Sequence, residues 1–365
     1  MNDPKPTPFV DVIVVLWNSV PFLGDLFRGL VRLDYPKNTM CVHIVDNSPG
    51  DGSLAEVKRL MALWGNQLPS VEIHEPGMNL GFSGGHNLAI KKSIERGHEY
   101  VYLLNYDAEF EPRALREAVD AAESDALIGS VQSLLVMQQN PEEINSDGNA
   151  IHFLGFGYCG GYHNKRTEVS LDIKNIAYAS GAGVLFKNEV LQKTGLLDET
   201  LFAYHEDLDL GWRIILVGYK NVLAHKSVVR HHYEFSRSIK KWFWMERNRT
   251  AVVLKNYRFP TLILLAPMLL VTDFAILAFA VKGGWWREKI RAMVWFFKPQ
   301  TWVYILRGRR DINRMRLVSD GAVLKMFTPF IKYQEFENDI VNSIVNPFLK
   351  FGYEIVRLFT GMTGL

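Results

Sequence analysis

The first third of the chain switches between two hydrophobic periods. Residues 9–16 (FVDVIVVL), 42–45 (VHIV) and 100–104 (YVYLL) are short β-branched or aromatic runs, the pattern of strands buried on both faces. Residues 26–31 and 88–94 space their apolar positions at helical intervals. Strands alternating with helices predict an α/β fold with a parallel sheet covered on both sides. Ligands of such sheets bind beyond the carboxyl ends of the strands, so chemistry is sought just after each apolar run.

The middle of the chain, 130–235, reads as mixed. Residues 155–161 are rich in Gly and aromatics, as in a loop or hairpin, and Ser180-Gly181-Ala182-Gly183 precedes another apolar strand. Residues 206–217 form a helix pattern with acidic residues in its first turn, where the helix dipole favours them. From about 236 the character changes. Residues 261–281 (TLILLAPMLLVTDFAILAFAV) hold one charge, Asp273, and are long enough as a helix to cross a bilayer core. Pro267 and Asp273 argue against spanning. Trp285, Trp286, Arg287 and Lys289 follow as an interfacial belt would, and Trp295, Trp302, Arg307, Arg309 and Arg310 continue the mixture. The other reading is a core helix followed by amphipathic packing helices. Two regions are expected: 1–235, and a helical, basic and aromatic membrane-associating region at 236–365.

Composition sharpens that division. Hydrophobic residues make up 48% of the 365, enough for a real core and against disorder. The net charge of +2 conceals an asymmetry. Residues 1–219 carry 17 basic against 29 acidic residues, and residues 220–365 carry 24 against 10. A basic half interleaved with Trp, Phe and long apolar runs suits an anionic lipid surface and argues against nucleic acid, which would want a polar basic patch. The two cysteines, Cys41 and Cys159, form no CxxC pair, which fits a reducing compartment. Residues 1–8 lack a signal-peptide layout, so the N-terminal region is expected on the cytoplasmic side.

Candidate chemistry sits where the sheet argument places it. Asp46 and Asn47 end the second run (HIVDNS); a carboxylate there can accept from the N3–H of a pyrimidine, and an Asx turn is the alternative. Asn79-Leu-Gly81-Phe-Ser-Gly84-Gly85-His86-Asn87 opens a helix with small residues and backbone N–H groups, a natural anion site or a plain capping loop. Asn105, Asp107 and Glu109 follow YVYLL at alternate positions, so their side chains can converge on a hard cation such as Mg²⁺ or Mn²⁺. Glu206, Asp207 and Asp209 crowd three carboxylates into four residues, and a carboxylate is the usual base for a sugar hydroxyl. His231 and His232 close a strand-like run and offer imidazole to a metal. Arg247 and Arg249, flanking Asn248, offer guanidinium forks for a diphosphate.

The order of these segments, HIVDNS, NLGFSGGHN, LLNYDAE, SGAGVLFKNEVLQKTGLLDETLFAYHEDLDLGWR, HH and ERNR, resembles family 2 glycosyltransferases, in the branch of rhamnosyltransferases and galactofuranosyltransferases, over residues 9–256. The resemblance implies a GT-A (Rossmann-like) mixed sheet flanked by helices. It implies that Asp46 reads the base with the backbone near Trp17 and Asn18. Asn79, Gly81, Gly84, Gly85, His86 and Asn87 would line the nucleotide pocket. Asn105 and Asp107 would occupy the DXD motif, with Asp107 the principal metal ligand, Glu109 a further one and His231 completing the site. Asp207 would be the catalytic base. Glu206 and Asp209 would hold the acceptor or brace the loop, and Trp212 and Arg213 would pack or touch the acceptor.

The expected activity is a metal-dependent, inverting transfer of a rhamnose-like or galactofuranose-like sugar from a dTDP- or UDP-linked donor. The acceptor is a lipid-linked glycan or oligosaccharide, used in surface polysaccharide or cell-wall synthesis at the cytoplasmic face of the membrane. Attachment is peripheral or through a single hydrophobic segment, and a homo-oligomer is left open. Three rivals compete. A processive synthase would need a QxxRW motif, which the sequence lacks. A sugar nucleotidyltransferase would want a Gly-rich basic loop where Trp17-Asn18-Ser19-Val20 stands. A non-catalytic membrane-bound glycan-binding or scaffolding protein would not need Asp107, Glu206, Asp207 and His231.

Overall fold

The computed structural model describes residues 6–170, 172–233, 241–331 and 341–363. The strands are β1 (Val10–Leu16), β2 (Met40–Asp46), β3 (Ser70–His74), β4 (Tyr100–Leu104), β5 (Ala108–Phe110), β6 (Ile128–Met137), β7 (Ile144–Ser146), β8 (Asn149–Ile151), β9 (Gly157–Cys159), β10 (Lys174–Ile176), β11 (Gly183–Lys187) and β12 (Lys220–His231). The helices are α1 (Leu23–Arg32), α2 (Ser53–Trp64), α3 (Gly81–Glu95), α4 (Ala114–Glu123), α5 (Asn188–Thr194), α6 (Glu206–Leu216), α7 (Lys241–Asn256), α8 (Phe259–Lys282), α9 (Trp286–Trp295), α10 (Pro299–Met315), α11 (Asp320–Leu324) and α12 (Asn346–Thr363).

The main sheet runs β10-β12-β6-β11-β4-β1-β2-β3, with β5 on β12 and β7 on β6. β3, β2, β1 and β4 are parallel, while β11 runs antiparallel between β4 and β6. The sheet is therefore mixed. β1 shows why its runs lack alternation. Val10, Val12, Val14 and Leu16 pack into a core with α1, α2 and α4, while Ile13 and Val15 face a second core with α3, α5 and α6. All seven positions are buried. Residues 149–159 form the small β8–β9 hairpin.

A third apolar cluster joins the hairpin side of the sheet-bearing half to the C-terminal helices. Ile151, Phe153 and Trp212 meet Val252 of α7, Leu265 and Met268 of α8, Val323 of α11 and Tyr353 of α12. The boundary expected at 235–236 lies outside the described residues. The buried polar line Asp11–His43–His74–Lys92 crosses the parallel part of the sheet. Lys92 Nζ donates to His74 Nδ1, which turns the His74 Nε2–H towards His43 and the His43 Nε2–H towards Asp11. These groups satisfy one another and leave no open cradle.

Candidate active site

A cleft of about 610 Å³ opens beyond the carboxyl ends of β1 and β4. Its walls include Trp17, Asn47, Asn79, Gly81, His86, Asn105, Glu206, Asp207, His231 and Trp244. A second cavity of about 530 Å³ beside α4 is lined by Glu111, Arg113, Glu117 and Arg166, whose charges pair with one another. Unmatched carboxylates belong to the first.

At one wall, β5 pairs with the end of β12, opposing Ala108 to His231. This register brings His231 Nε2 to 3.3 Å from Asp107 Oδ1. His231 Nδ1 donates to Asn145 Oδ1 at 3.0 Å, and Asn105 Nδ2 lies 3.4 Å from His231 Nε2. In the neutral ring this turns the Nε2 lone pair towards the carboxylate, an arrangement of nitrogen and oxygen donors that a divalent cation can bridge. An oxygen and an imidazole nitrogen suit Mn²⁺ or Mg²⁺. Asn145, from the short strand β7, was not singled out from the sequence; nothing in its local pattern marks it.

Across the cleft, α6 begins at Glu206 after a backbone held at positive φ through Phe202, Tyr204 and His205. Such conformations are costly for side chains other than Gly and persist only when their surroundings impose them. Here Asn248 Nδ2 donates to the carbonyls of Leu201, Ala203 and Tyr204, and Arg247 Nη2 donates to those of Thr200 and Leu201. Phe202 also stacks on Trp244. The loop delivers Asp207, whose Oδ1 accepts from the Leu208 N–H at 2.7 Å and whose Oδ2 accepts from the Gly181 N–H at 3.3 Å. Burial pushes its carboxyl up to about 6. Glu206 is pushed well above its ordinary value by burial and by Asp207, and its Oε2 is buried with no hydrogen-bond partner among the described residues. Among the described residues neither carboxylate has an ion-pair partner. The arrangement can hold a cation on one side and keep a proton-accepting carboxylate on the other.

Several expected site residues stand elsewhere. Glu109 turns its carboxylate to Arg28, with contacts of 2.7 and 2.9 Å, and accepts from Gln138; a carboxylate so committed is not offered to a metal. Asp209 is fully buried and held by Arg213, Asn256 and Lys255, so it braces α6 and does not reach an acceptor. Arg213 caps the carbonyls of Thr194, Gly195 and Leu196, and Trp212 is buried in the core. Arg247 is sequestered under the α6 loop beside the Trp244 and Trp295 rings, and burial brings it down to about 10, so its fork is not presented to a diphosphate. Arg249 is locked to Glu246 and Asp273.

The Gly-rich segment is helical from Gly81 and is not an open loop. A Cβ on Gly85 would come within 2.8 Å of Val15, and one on Gly84 within 2.9 Å of Leu80, so these two glycines permit close helix packing and do not line the cleft. Asn87 binds Leu197 and Glu199 behind it. Gly81 itself has φ +71 and sits against Phe202. Asn79 and Asn47 tie the cleft edge together, Asn47 Nδ2 donating to Asn79 Oδ1. His86 donates through Nδ1 to the Phe82 carbonyl, and burial holds it neutral, down at about 4. Asp46 is buried at the end of β2, raised by burial, and accepts from the Ser48 N–H; the Asn18 N–H is taken by Asp51. His232 pairs with Asp25, which leaves His231 as the imidazole facing Asp107.

Relatives share this architecture. The chain is 24% identical over 249 residues to an N-acetylglucosaminyl-diphospho-decaprenol L-rhamnosyltransferase of Mycobacterium tuberculosis, covering 62% of this chain and 76% of that enzyme. It is 26% identical over 151 residues to the low-salt glycan biosynthesis hexosyltransferase Agl10 of Haloferax volcanii, covering 39% and 46%. The mannosyltransferase PcManGT of Pyrobaculum calidifontis, solved with GDP-Man and Mn²⁺, superposes with a TM-score of 0.52 at 18% identity over 86% of this chain and 87% of that one. GalNAc-T7, solved with UDP, GalNAc and Mn²⁺, gives 0.54 at 15% identity over 69% of this chain and about half, 48%, of that one. These likenesses fix the GT-A-like fold. The model of the family described as glycosyltransferase like family 2 matches residues 6–253, and with the mixed sheet and the cleft at its carboxyl ends this places the chain in that family, with a likeness to its rhamnosyltransferase branch.

Proposed function

We propose that this glycosyltransferase is an inverting, divalent-cation-dependent hexosyltransferase using a dTDP- or UDP-linked donor and a lipid-linked glycan acceptor at the cytoplasmic face of a membrane. The observation that carries the reading is one cleft lined by His231 on one side, with Asp107 behind it at 3.3 Å, and by Asp207 on the other. The donor sugar is rhamnose-like or galactofuranose-like, by analogy with the branch. The lipid-linked acceptor rests on the name of the mycobacterial relative and on the long apolar helix α8.

Each residue then has a task. Trp17 and Asp46 stand at the ends of β1 and β2, where a pyrimidine base would rest and donate its N3–H to the carboxylate. Asn79, Gly81 and Asn105 line the path from base to diphosphate. Asp107 and His231 would hold the cation, with Asn145 accepting from the His231 Nδ1–H and so turning Nε2 towards it. The cation, when bound, offsets charge on the departing diphosphate. Asp207 takes the acceptor hydroxyl proton as that oxygen bonds to the anomeric carbon and the carbon–diphosphate bond breaks on the opposite face. One displacement inverts the centre, with no enzyme nucleophile. Glu206, protonated beside Asp207, can donate to an acceptor oxygen.

The test is a thermal-shift panel of dTDP- and UDP-sugars with and without Mn²⁺. A specific donor raises the melting temperature by mass action, and more so with Mn²⁺. Anomeric configuration of the product, read by NMR, must be opposite to that of the donor. No metal-dependent shift for any nucleotide sugar, or retained configuration, refutes the assignment.

A further inference from the structure

α8 is 24 residues long, a length of about 36 Å, and its most apolar 18-residue stretch has a mean hydropathy of 2.4. It is nonetheless seated on the protein from end to end. Thr261, Leu265, Met268, Thr272, Ile276 and Ala280 form one buried stripe at helical spacing. The opposite stripe, Ile263, Pro267, Leu270, Phe274, Ala278 and Val281, is exposed and uncharged. Leu270 and Phe274 are 61% and 66% exposed.

α12 repeats the design beside it. Leu349, Tyr353, Val356 and Thr360 are buried, while Phe348, Phe351, Ile355, Leu358 and Met362 are exposed. Gly352 lets the two helices touch; a Cβ there would lie 2.1 Å from Met268 Sδ. Exposed cations attend both faces: Lys282 ends α8, Arg287 and Lys298 flank α9, and Lys350 lies on α12. The acids on these helices are already engaged. Glu288 binds Arg291, Glu354 binds Arg357, and Asp273 binds Arg249 and Lys289. Adjacent apolar stripes rimmed by cations that have no acidic partner among the described residues complement an anionic bilayer.

Orientation follows from the buried side. Asp273, at mid-helix, accepts from Arg249 at 2.6 Å and Lys289 at 2.9 Å, and both cations also contact Glu246. The side chains of Arg249 and Lys289 are 1% and 2% exposed. A spanning α8 would carry this four-charge network, α7, α9 and α12 into hydrocarbon, at prohibitive cost. A helix held along its whole length by one stripe can meet a flat bilayer only with the other, lying parallel to it. We propose that α8 and α12 form a monotopic docking face that lies in the plane of an anionic phospholipid bilayer. The inference rests on the membrane-surface part of the proposed function and fixes its geometry. It also places the active cleft. Lys241 and Trp244 of α7 line that cleft, while Trp242 between them stacks on Trp285 at the head of α9. A lipid-borne acceptor would enter along this helix.

Flotation of the full chain with vesicles tests it. Binding is expected to phosphatidylglycerol-rich vesicles, weakly or not at all to pure phosphatidylcholine, and to weaken with salt. Leu270→Glu with Phe274→Glu, and separately Phe351→Glu, should each lower vesicle partition roughly tenfold or more. These are exposed positions, so the fold should survive, and the donor-induced thermal shift reports that it has. Vesicle binding unchanged by these charges overturns the face. So does a solution dimer, seen by sedimentation, that the charges dissolve while no vesicle is bound. For orientation, single cysteines at Pro260→Cys and Lys282→Cys, in a chain with Cys41 and Cys159 replaced by Ala, are probed in sealed vesicles with an impermeant maleimide. Both ends should react from one side; reaction at one end only means that α8 spans. Lost vesicle binding with an intact donor shift refutes the docking face alone, and the converse refutes the transferase reading alone.

Discussion

Two regions of this molecule are rich in buried carboxylates, and they handle charge in opposite ways. Under α7 to α9, every acid is matched. Glu246 and Asp273 share Arg249 and Lys289, and Asp198 and Asp209 share Lys255. Burial alone would raise Glu246 and Asp198, but their cations outweigh it; Glu246 sits below its ordinary value and Asp198 is held down at about 2. In the cleft, Glu206 and Asp207 are raised instead, because burial meets no cation among the described residues. The two behaviours occur within one turn of α6, since Asp209 belongs to the matched set and Asp207 to the other. Unmatched buried carboxylates store a cost that a bound hydroxyl or cation relieves, whereas matched ones anchor helices.

Experiments can break this contrast. The largest effect is expected from Asp207→Asn, which should lower transfer about 10²- to 10⁴-fold while leaving the donor-induced thermal shift nearly intact; near-normal turnover would remove Asp207 as the base. Lys255→Met should act on stability, costing about 3–5 kcal/mol in chemical denaturation because Asp198 loses its cation and Asp209 keeps only Arg213. A loss of activity with no loss of stability would erase the distinction between the regions. Asn145→Ala should weaken Mn²⁺ affinity, measured by titration calorimetry, about 10- to 100-fold by freeing the His231 ring. An unchanged affinity would mean that the imidazole does not serve the metal.

The smallest effect separates the regions by pH. The Asp207 carboxyl rises from 3.8 to about 6 on folding, so a base there is protonated and idle below that range. Transfer should climb as pH passes about 6 and then level. Stability should move the other way. A carboxyl raised by folding favours the folded state at low pH, and that contribution fades as pH rises from 3.8 to about 6. Asp207→Asn should flatten this part of the stability profile; an unaltered profile would count against the raised carboxyl.

Much of this was legible in the chain. The β-branched runs at β1, β2 and β4 announced themselves because both faces of those strands are buried. The positions after them, Trp17 and Asn105, line the cleft because the topology sends side chains there, with Asp107 just behind against His231. The misread residues share one cause. Glu109, Arg247 and Arg249 look like surface charges in a local window, yet each meets a partner distant in sequence: Arg28, the Thr200 and Leu201 carbonyls, and Asp273. Gly84 and Gly85 look like an anion loop, but their neighbours are Leu80 and Val15.

The sequence by itself determined the buried runs of β1, β2 and β4 with helices between them, the acidic and basic halves and the long apolar helix, because hydrophobic period and charge are properties of neighbouring residues. Only the tertiary structure decided which carboxylates are neutralised, that Asn145 orients His231, and that α8 carries a buried charge network on one side and a bare apolar stripe on the other. Those outcomes depend on which cation or carbonyl arrives from a remote strand or helix, and no local pattern records that arrival.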